Sequence, residues 1–324
     1  MKSRSFAYML ALFHSSIVGL SFLFTKMAIA ESNPLDTLAF RFTISFAIIL
    51  LLVAVKVIKV NYSWESIKNL VPLSLLFPTL FFAFQTFGLK YSQSTDAGIL
   101  SAVTPILTLM IAGYFLKEKT SLYQKLSIVL SVVGVIFIFV MKGSTINFSD
   151  MLGMVLILLS CIATACYTTM TRSLARNHTP GEMSFFMMGT GFVIFNAAAL
   201  VTHLKQGTMA EFFTPWSSME FISSILYLGI LASLVTSLLS NTILSKIKAS
   251  QMSVFANLST VVTIAAGALI LNEKLTIYDI LGSILIILGV IGTNYFGVKR
   301  EHSTKVNLEY NKGKLYMNEK GPSQ

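Results

Sequence analysis

Charge is scarce in this sequence. Charged residues make up 12% of the 324, against roughly 25% in a typical soluble protein, and acids are scarcer still, with 14 Asp and Glu against 24 Lys and Arg. Such a chain cannot cover a soluble globule with polar surface. Cysteine is nearly absent: Cys161 and Cys166 are the two present, and both fall in one apolar run. Five residues apart on a helix they point in different directions, which excludes a disulfide between them and leaves them as small buried residues. Chemical motifs are missing as well. There is no His-Glu-x-x-His, no Gly-x-Ser-x-Gly and no phosphate-binding P-loop, and no cluster of His or carboxylates suggests a metal. These absences count against zinc or serine hydrolysis and against direct ATP use by this chain.

What fills the chain instead is apolar residue, 54% of the total with a mean hydropathy of +0.74. Length alone suggests about two soluble domains. Charge-poor runs of about twenty residues overrule that, because each is long enough to cross a hydrocarbon layer of ~30 Å as a helix. The reading is an all-α polytopic membrane protein, since open strands cannot satisfy their backbone groups in lipid. Ten spans are expected, at about 6–29, 35–56, 69–89, 95–116, 123–141, 151–172, 182–203, 219–241, 250–271 and 277–297. The polar segment 299–324 is expected to be a disordered tail. Lys2 and Arg4 ahead of an apolar stretch, with Ala28-Ile29-Ala30 beyond, look like a signal peptide, but the stretch is too long and Lys26 interrupts it, so an uncleaved first span is expected.

A net charge of +10 raises nucleic acid as a partner, but the cations sit in short segments between apolar runs rather than in one patch. Counted across those connections, one face of the membrane carries 18 Lys and Arg and the other 5, with Arg41 left inside the second span. Cytoplasmic loops carry the excess of positive charge, so both termini are expected in the cytoplasm of a cell-membrane protein. Trp64 and Trp216 fall between spans, as interfacial anchors do.

The sequence also repeats itself. GYFLKEKTSLYQKL at Gly113–Leu126 returns as ALILNEKLTIYDIL at Ala268–Leu281, an offset of 155 residues. Residues 103–137 match 258–292 at ten positions, among them Thr108/Thr263, Glu118/Glu273, Lys119/Lys274, Tyr123/Tyr278 and Gly134/Gly289. At an offset of 146, Asn33-Pro34-Leu35-Asp36 mirrors Thr179-Pro180-Gly181-Glu182. Each reads as a capping residue, Pro in the first turn and an acid two residues on, a helix-start signal placed before spans two and seven. The chain is therefore expected to be two five-span halves, 1–144 and 145–298. Five is odd, so the second half enters the membrane from the opposite side, giving the inverted repeat used by many carriers that alternate access around a midplane site.

The run SAVTPILTLMIAGYFLKEKTSLYQKLSIVLSVVGVIFI, with Pro105, Glu118, Lys119 and Gly134 in place, resembles the closing part of an EamA domain of the drug/metabolite transporter superfamily. Gly19, Ser21 and Lys26 in the first span and Arg41-Phe42 in the second also look like that family, and the resemblance covers about residues 6–297 in two copies. The second copy departs from it: Thr260 stands in place of Pro105 and Met187 in place of Arg41. The resemblance implies a ten-helix bundle moving small metabolites, often exporting amino acids or drugs, and no enzyme activity. A membrane-embedded enzyme and a non-transporting structural protein are the competing readings.

Polar groups facing lipid are costly, so polar residues inside spans are the candidates for a substrate cavity. They are His14, Ser21, Arg41, Gln85, Tyr167, Asn196, Tyr227, Asn241 and Asn257. For each the competing reading is an interhelical hydrogen bond, worth roughly 0.6–2 kcal/mol. His14 is the one imidazole deep in a span and can relay a proton, with an ordinary pKa of about 6.5. Arg41 either holds a substrate carboxylate, or reaches the outer interface, or ties to Asp36 or Glu31. Glu118 and Glu273 are turn residues or matching elements of two gates. No carboxylate lies near the centre of a span, so proton exchange through His14, substrate exchange and passive facilitation all stay open as modes of drive, and a polycationic substrate is disfavoured. The expected partners are a small-molecule substrate and the lipid bilayer, with a homodimer allowed and nucleic acid excluded. No cofactor and no metal are expected.

Overall fold

The computed structural model describes residues 2–61, 63–116, 122–142, 148–247, 249–289, 291–292 and 295, and no strand occurs among them. The helices are α1 (Lys2–Glu31), α2 (Pro34–Ala54), α3 (Trp64–Tyr91), α4 (Ser94–Phe115), α5 (Leu122–Lys142), α6 (Phe148–Leu174), α7 (Pro180–Gln206), α8 (Met219–Lys246), α9 (Ala249–Ile270) and α10 (Ile277–Gly289). Among the described residues seven helices, α1–α4 and α6–α8, are long and apolar enough to cross a membrane. Shorter apolar stretches lie within α5, α9 and α10. The chain is an all-α, multi-pass membrane protein.

Helix starts follow the local sequence. Asn33 caps α2 by accepting from the Asp36 amide at 2.9 Å, and Thr179 caps α7 by accepting from the Glu182 amide at 3.2 Å. Each is followed by Pro, whose missing N–H costs nothing in the first turn. Prolines inside helices have the opposite effect. Pro105 cannot donate to the Ser101 carbonyl, and the amides of Ala102 and Val103 tighten onto Ile99 and Leu100, interrupting α4. In α3, Pro72 precedes and Pro78 lies within a kink at Leu75–Leu80, where Phe77 leaves the helical region (φ −142°, ψ 117°). A widened turn, Tyr227–Val235, lies in the middle of α8 without a proline. Hydropathy showed neither the kink nor the widened turn, because both segments are predominantly apolar.

Small residues bring the helices together. Gly88 and Gly153 face each other where α3 crosses α6; a Cβ on Gly153 would stand 2.9 Å from the Gly88 carbonyl. Gly134 of α5 and Gly282 of α10 make the equivalent close crossing, with the Gly282 carbonyl 2.9 Å from where a Gly134 Cβ would be. Without a hydrophobic drive between helices in lipid, such close approach is a main source of packing energy. Besides the α5–α10 crossing, α2 packs on α7, α4 on α9, α1 on α8 and α9, and α6 on α3 and α4. Outward faces of α5 and α10 carry exposed Leu122, Val129, Val133, Ile277, Ile284 and Leu288, a surface suited to lipid.

Candidate functional site

Between α1, α3, α4, α6, α8 and α9 lies a cavity of about 140 Å³. One buried water needs about 10–15 Å³ measured the same way, so the space takes on the order of ten waters, or one solute of similar heavy-atom count. Three of the helices come from each half of the sequence. Along α1 the lining runs from Ala11 through His14, Ser15 and Ser21 to Phe22; α3 gives Phe77, Phe81, Phe82 and Gln85. α4 adds Ser101, Thr104 and Thr108, α6 adds Ser160, Cys161, Thr164, Tyr167 and Thr168, and α8 and α9 add Ala232, Thr236, Ser240, Met252 and Ser259. Hydroxyls and aromatic rings dominate, and no carboxylate is among the described residues that line the cavity.

Of the residues singled out from the sequence, His14, Ser21, Gln85 and Tyr167 are brought together here. Ser21 and many of the lining hydroxyls bond back to their own helix: Ser21 to Val18 O at 2.7 Å, Ser101 to Ala97 O at 2.7 Å, Thr108 to Thr104 O at 2.9 Å. That satisfies the donor and leaves lone pairs toward the cavity. Gln85 is buried and its Oε1 has no hydrogen-bond partner, so an acceptor is available at the wall. Tyr167 stacks on Phe77 with centroids 4.5 Å apart and donates to Asn241 Oδ1 at 2.8 Å. Asn241 donates in turn to Ser184 Oγ at 3.0 Å, so it holds Tyr167 from behind and does not face the cavity.

Asn196 and Tyr227 are placed outside the lining. Asn196 bridges α7 to α2 through the Ala39 carbonyl (3.3 Å) and Thr43 Oγ1 (3.1 Å). Tyr227 stacks on Phe24 at 4.1 Å and donates to the Ile17 carbonyl at 2.9 Å. Arg41 requires a correction. It neither reaches an interface nor ties to Asp36 or Glu31; it is 1% exposed and donates from Nε to Ser233 Oγ (2.6 Å) and from Nη2 to the Ala232 carbonyl (3.0 Å). Asp36 is engaged elsewhere, 3.0 Å from Nε2 of the buried His203. The side chain of Asn257, Glu118 and the tail 299–324 lie outside the described residues.

Glu273 joins the two halves at one end of the bundle. Its Oε1 accepts from the Ser94 amide at 2.8 Å, and Oε2 accepts from the Thr95 amide at 2.8 Å and Ser94 Oγ at 3.0 Å. A carboxylate thus caps the N-terminus of α4, where the helix dipole favours negative charge. Close by, Lys26 Nζ donates to the carbonyls of Leu89 (2.7 Å) and Ser92 (2.6 Å), closing the C-terminus of α3. The cavity lining ends at Phe22 on α1, one turn short of Lys26, and extends the other way to Ala11 and Met252. No local pattern marks Lys26 as a helix cap or His203 as a partner for Asp36, because each acts on groups more than sixty residues away.

An all-helical, multi-pass membrane protein with an internal, solute-sized cavity shared between two related halves is the class of molecule that fold and site define. A model described as the EamA-like transporter family matches residues 5–140 and again 151–295. The chain belongs to that family, as two copies of its unit. It is 45% identical over 299 residues to the uncharacterized transporter YcxC of Bacillus subtilis (strain 168), covering 92% of this chain and 95% of that one. An uncharacterized transporter of Archaeoglobus fulgidus is 26% identical over 84% of this chain and 92% of its own length. A probable amino-acid metabolite efflux pump of Escherichia coli (strain K12) is 26% identical over 92% of this chain and 97% of its own. One crystal structure shares the fold at a TM-score of 0.61 and 15% identity, over 90% of this chain and 97% of that chain.

Proposed function

We propose that the protein is a secondary transporter, working without ATP, that exports amino acids or related small metabolites or drugs by alternating access around the central cavity. The observation that carries this reading is the cavity itself. Each half contributes three walls, so a movement of one half against the other changes which end of the cavity is reachable. The named relatives are transporters, and one is a probable amino-acid metabolite efflux pump. A lining of hydroxyls, Gln85 and aromatic rings suits a small solute with both polar and apolar parts.

In the same reading all ten helices cross the membrane as two inverted five-helix repeats, with both termini cytoplasmic and the protein in the cell membrane. The packing pattern supports a twofold relation between the halves, and five helices in each is what makes that relation an inversion. Exchanging each helix for the one five places on turns α1–α8 into α6–α3 and α1–α9 into α6–α4, and leaves α2–α7, α4–α9 and α5–α10 unchanged. The kink of α3 and the widened turn of α8 also fall on counterpart helices.

The test is counterflow. Proteoliposomes holding the full chain are preloaded with the twenty unlabelled L-amino acids, and entry of the labelled set is followed. Labelled amino acids accumulate above protein-free liposomes if the reading is right. Absence of accumulation, together with unchanged efflux of amino acids and drugs from cells lacking the protein, overturns it.

A further inference from the structure

Arg41 is a buried charge that no acid among the described residues answers. Among the described residues the His–carboxylate pairs are His178–Glu182 and His203–Asp36, and no carboxylate pairs with Arg41. The guanidinium is met by one hydroxyl, one carbonyl and the face of Phe82, whose ring centroid is 3.9 Å from Cζ. Its Nη1 is buried without a hydrogen-bond partner. A guanidinium keeps its proton even when buried, so the charge cannot be relieved by titration.

The position of this charge is specific. Phe82 and Ala232, two of its three partners, line the central cavity, so the guanidinium lies directly behind the wall. It is also bracketed by the two irregular segments of the bundle. Leu75–Leu80 immediately precedes Phe82 on α3, and Tyr227–Val235 carries Ala232 and Ser233 on α8. Widened turns such as Tyr227–Val235 recur at functional sites, and α3 is already broken at Phe77, five residues before Phe82. A movement of α3 that carries the Phe82 ring off the guanidinium would present Nη1 to the cavity.

We propose that Arg41 is the anion-binding group of the cavity, taking the carboxylate of a small organic acid or amino acid, with Phe82 as the flap over it. This rests on the transport reading above and names the substrate class it serves. One cation with one free nitrogen matches one carboxylate. A cavity with no carboxylate among its described lining residues has nothing that repels an anion and nothing that attracts a polycation. Gln85, with its free Oε1, offers an acceptor to the donor end of an amino acid bound in this way.

The experiment uses the full chain in proteoliposomes under counterflow with labelled L-amino acids. Unlabelled L-leucine, L-phenylalanine and L-threonine compete against their primary amides, which keep the side chain and lose the carboxylate. Wild type is expected to be inhibited by the acids and not by the amides. Arg41→Gln is expected to raise the half-saturating concentration of the acids by about 10–100-fold, the scale of one charged hydrogen bond. Arg41→Lys keeps the cation without the planar fork and is expected to fall between them, with a monodisperse elution that reports folding. Phe82→Leu, which leaves Arg41 in place, is expected to lower the half-saturating concentration of the acids. Equal inhibition by acids and amides, wild-type behaviour of Arg41→Gln, or no change in Phe82→Leu overturns the anion role and leaves transport standing. No counterflow by the wild type overturns the transport reading and this one with it.

Discussion

Replacing Glu273 by Ala tests whether its bonds to the start of α4 hold one end of the bundle shut. The substitution removes the acceptor for two backbone amides at 2.8 Å and one hydroxyl at 3.0 Å, all at the start of α4. Hydrogen bonds to a charged group are worth about 1.5–3 kcal/mol each when fully buried. Glu273 is only half-buried, so water takes over part of the role. Loss of an N-cap costs about 0.5–2 kcal/mol and loss of a favourable charge at the helix dipole about 0.3–1. Together these give about 1–3 kcal/mol for Glu273→Ala, centred near 2, and about 1 kcal/mol for Glu273→Gln, which keeps one acceptor. If the clasp holds the Lys26–Glu273 end shut, 2 kcal/mol moves the open population by roughly 30-fold. Cys161 lines the cavity and is a native reporter. In a Cys166→Ala background, a membrane-impermeant thiol reagent added from the Lys26–Glu273 face is expected to label Cys161 about 30-fold faster in Glu273→Ala and about fivefold faster in Glu273→Gln. Labelling within twofold of wild type, with or without a fall in melting temperature, would refute the clasp: Glu273 would then cap a helix and gate nothing.

Two further outcomes are expected. A Cβ at Gly267 would stand 2.6 Å from Glu273 Oε2 and 2.8 Å from Ser94 Oγ, so Gly267→Ala is expected to displace the carboxylate and speed Cys161 labelling, with no added effect on top of Glu273→Ala. Asp36 caps α2 through Asn33 and holds His203 of α7 at 3.0 Å, so Asp36→Asn is expected to lose about 2 kcal/mol, seen as a lower midpoint of thermal unfolding in detergent, and an unchanged midpoint would remove that pair from the account of the α2–α7 contact.

Apolar runs and caps were legible in the sequence because each depends on neighbours along the chain. Asn33-Pro34 and Thr179-Pro180 start helices wherever they stand, and a run of twenty apolar residues is driven into lipid as a helix regardless of partners. The twofold family match was legible too, through Glu-Lys, Tyr and Gly at a fixed offset. Hydropathy passed over the irregular segments of α3 and α8: Leu75–Leu80 carries Pro78 as its local signal, and Tyr227–Val235 carries no proline at all.

For single residues the sequence determined only which side chains are too polar for lipid. Tertiary structure decided what each polar group meets. It turned Gln85 and Tyr167 toward the cavity, set Asn241 behind Tyr167, and sent Asn196 across to α2. It placed Arg41 beneath Phe82 rather than beside Asp36, which is spent on His203. It also gave Glu273 of the second half the amides of Ser94 and Thr95 in the first. The reason is physical: burial in a bilayer depends on one residue's own chemistry, whereas a hydrogen bond depends on which distant helix is brought within 3 Å.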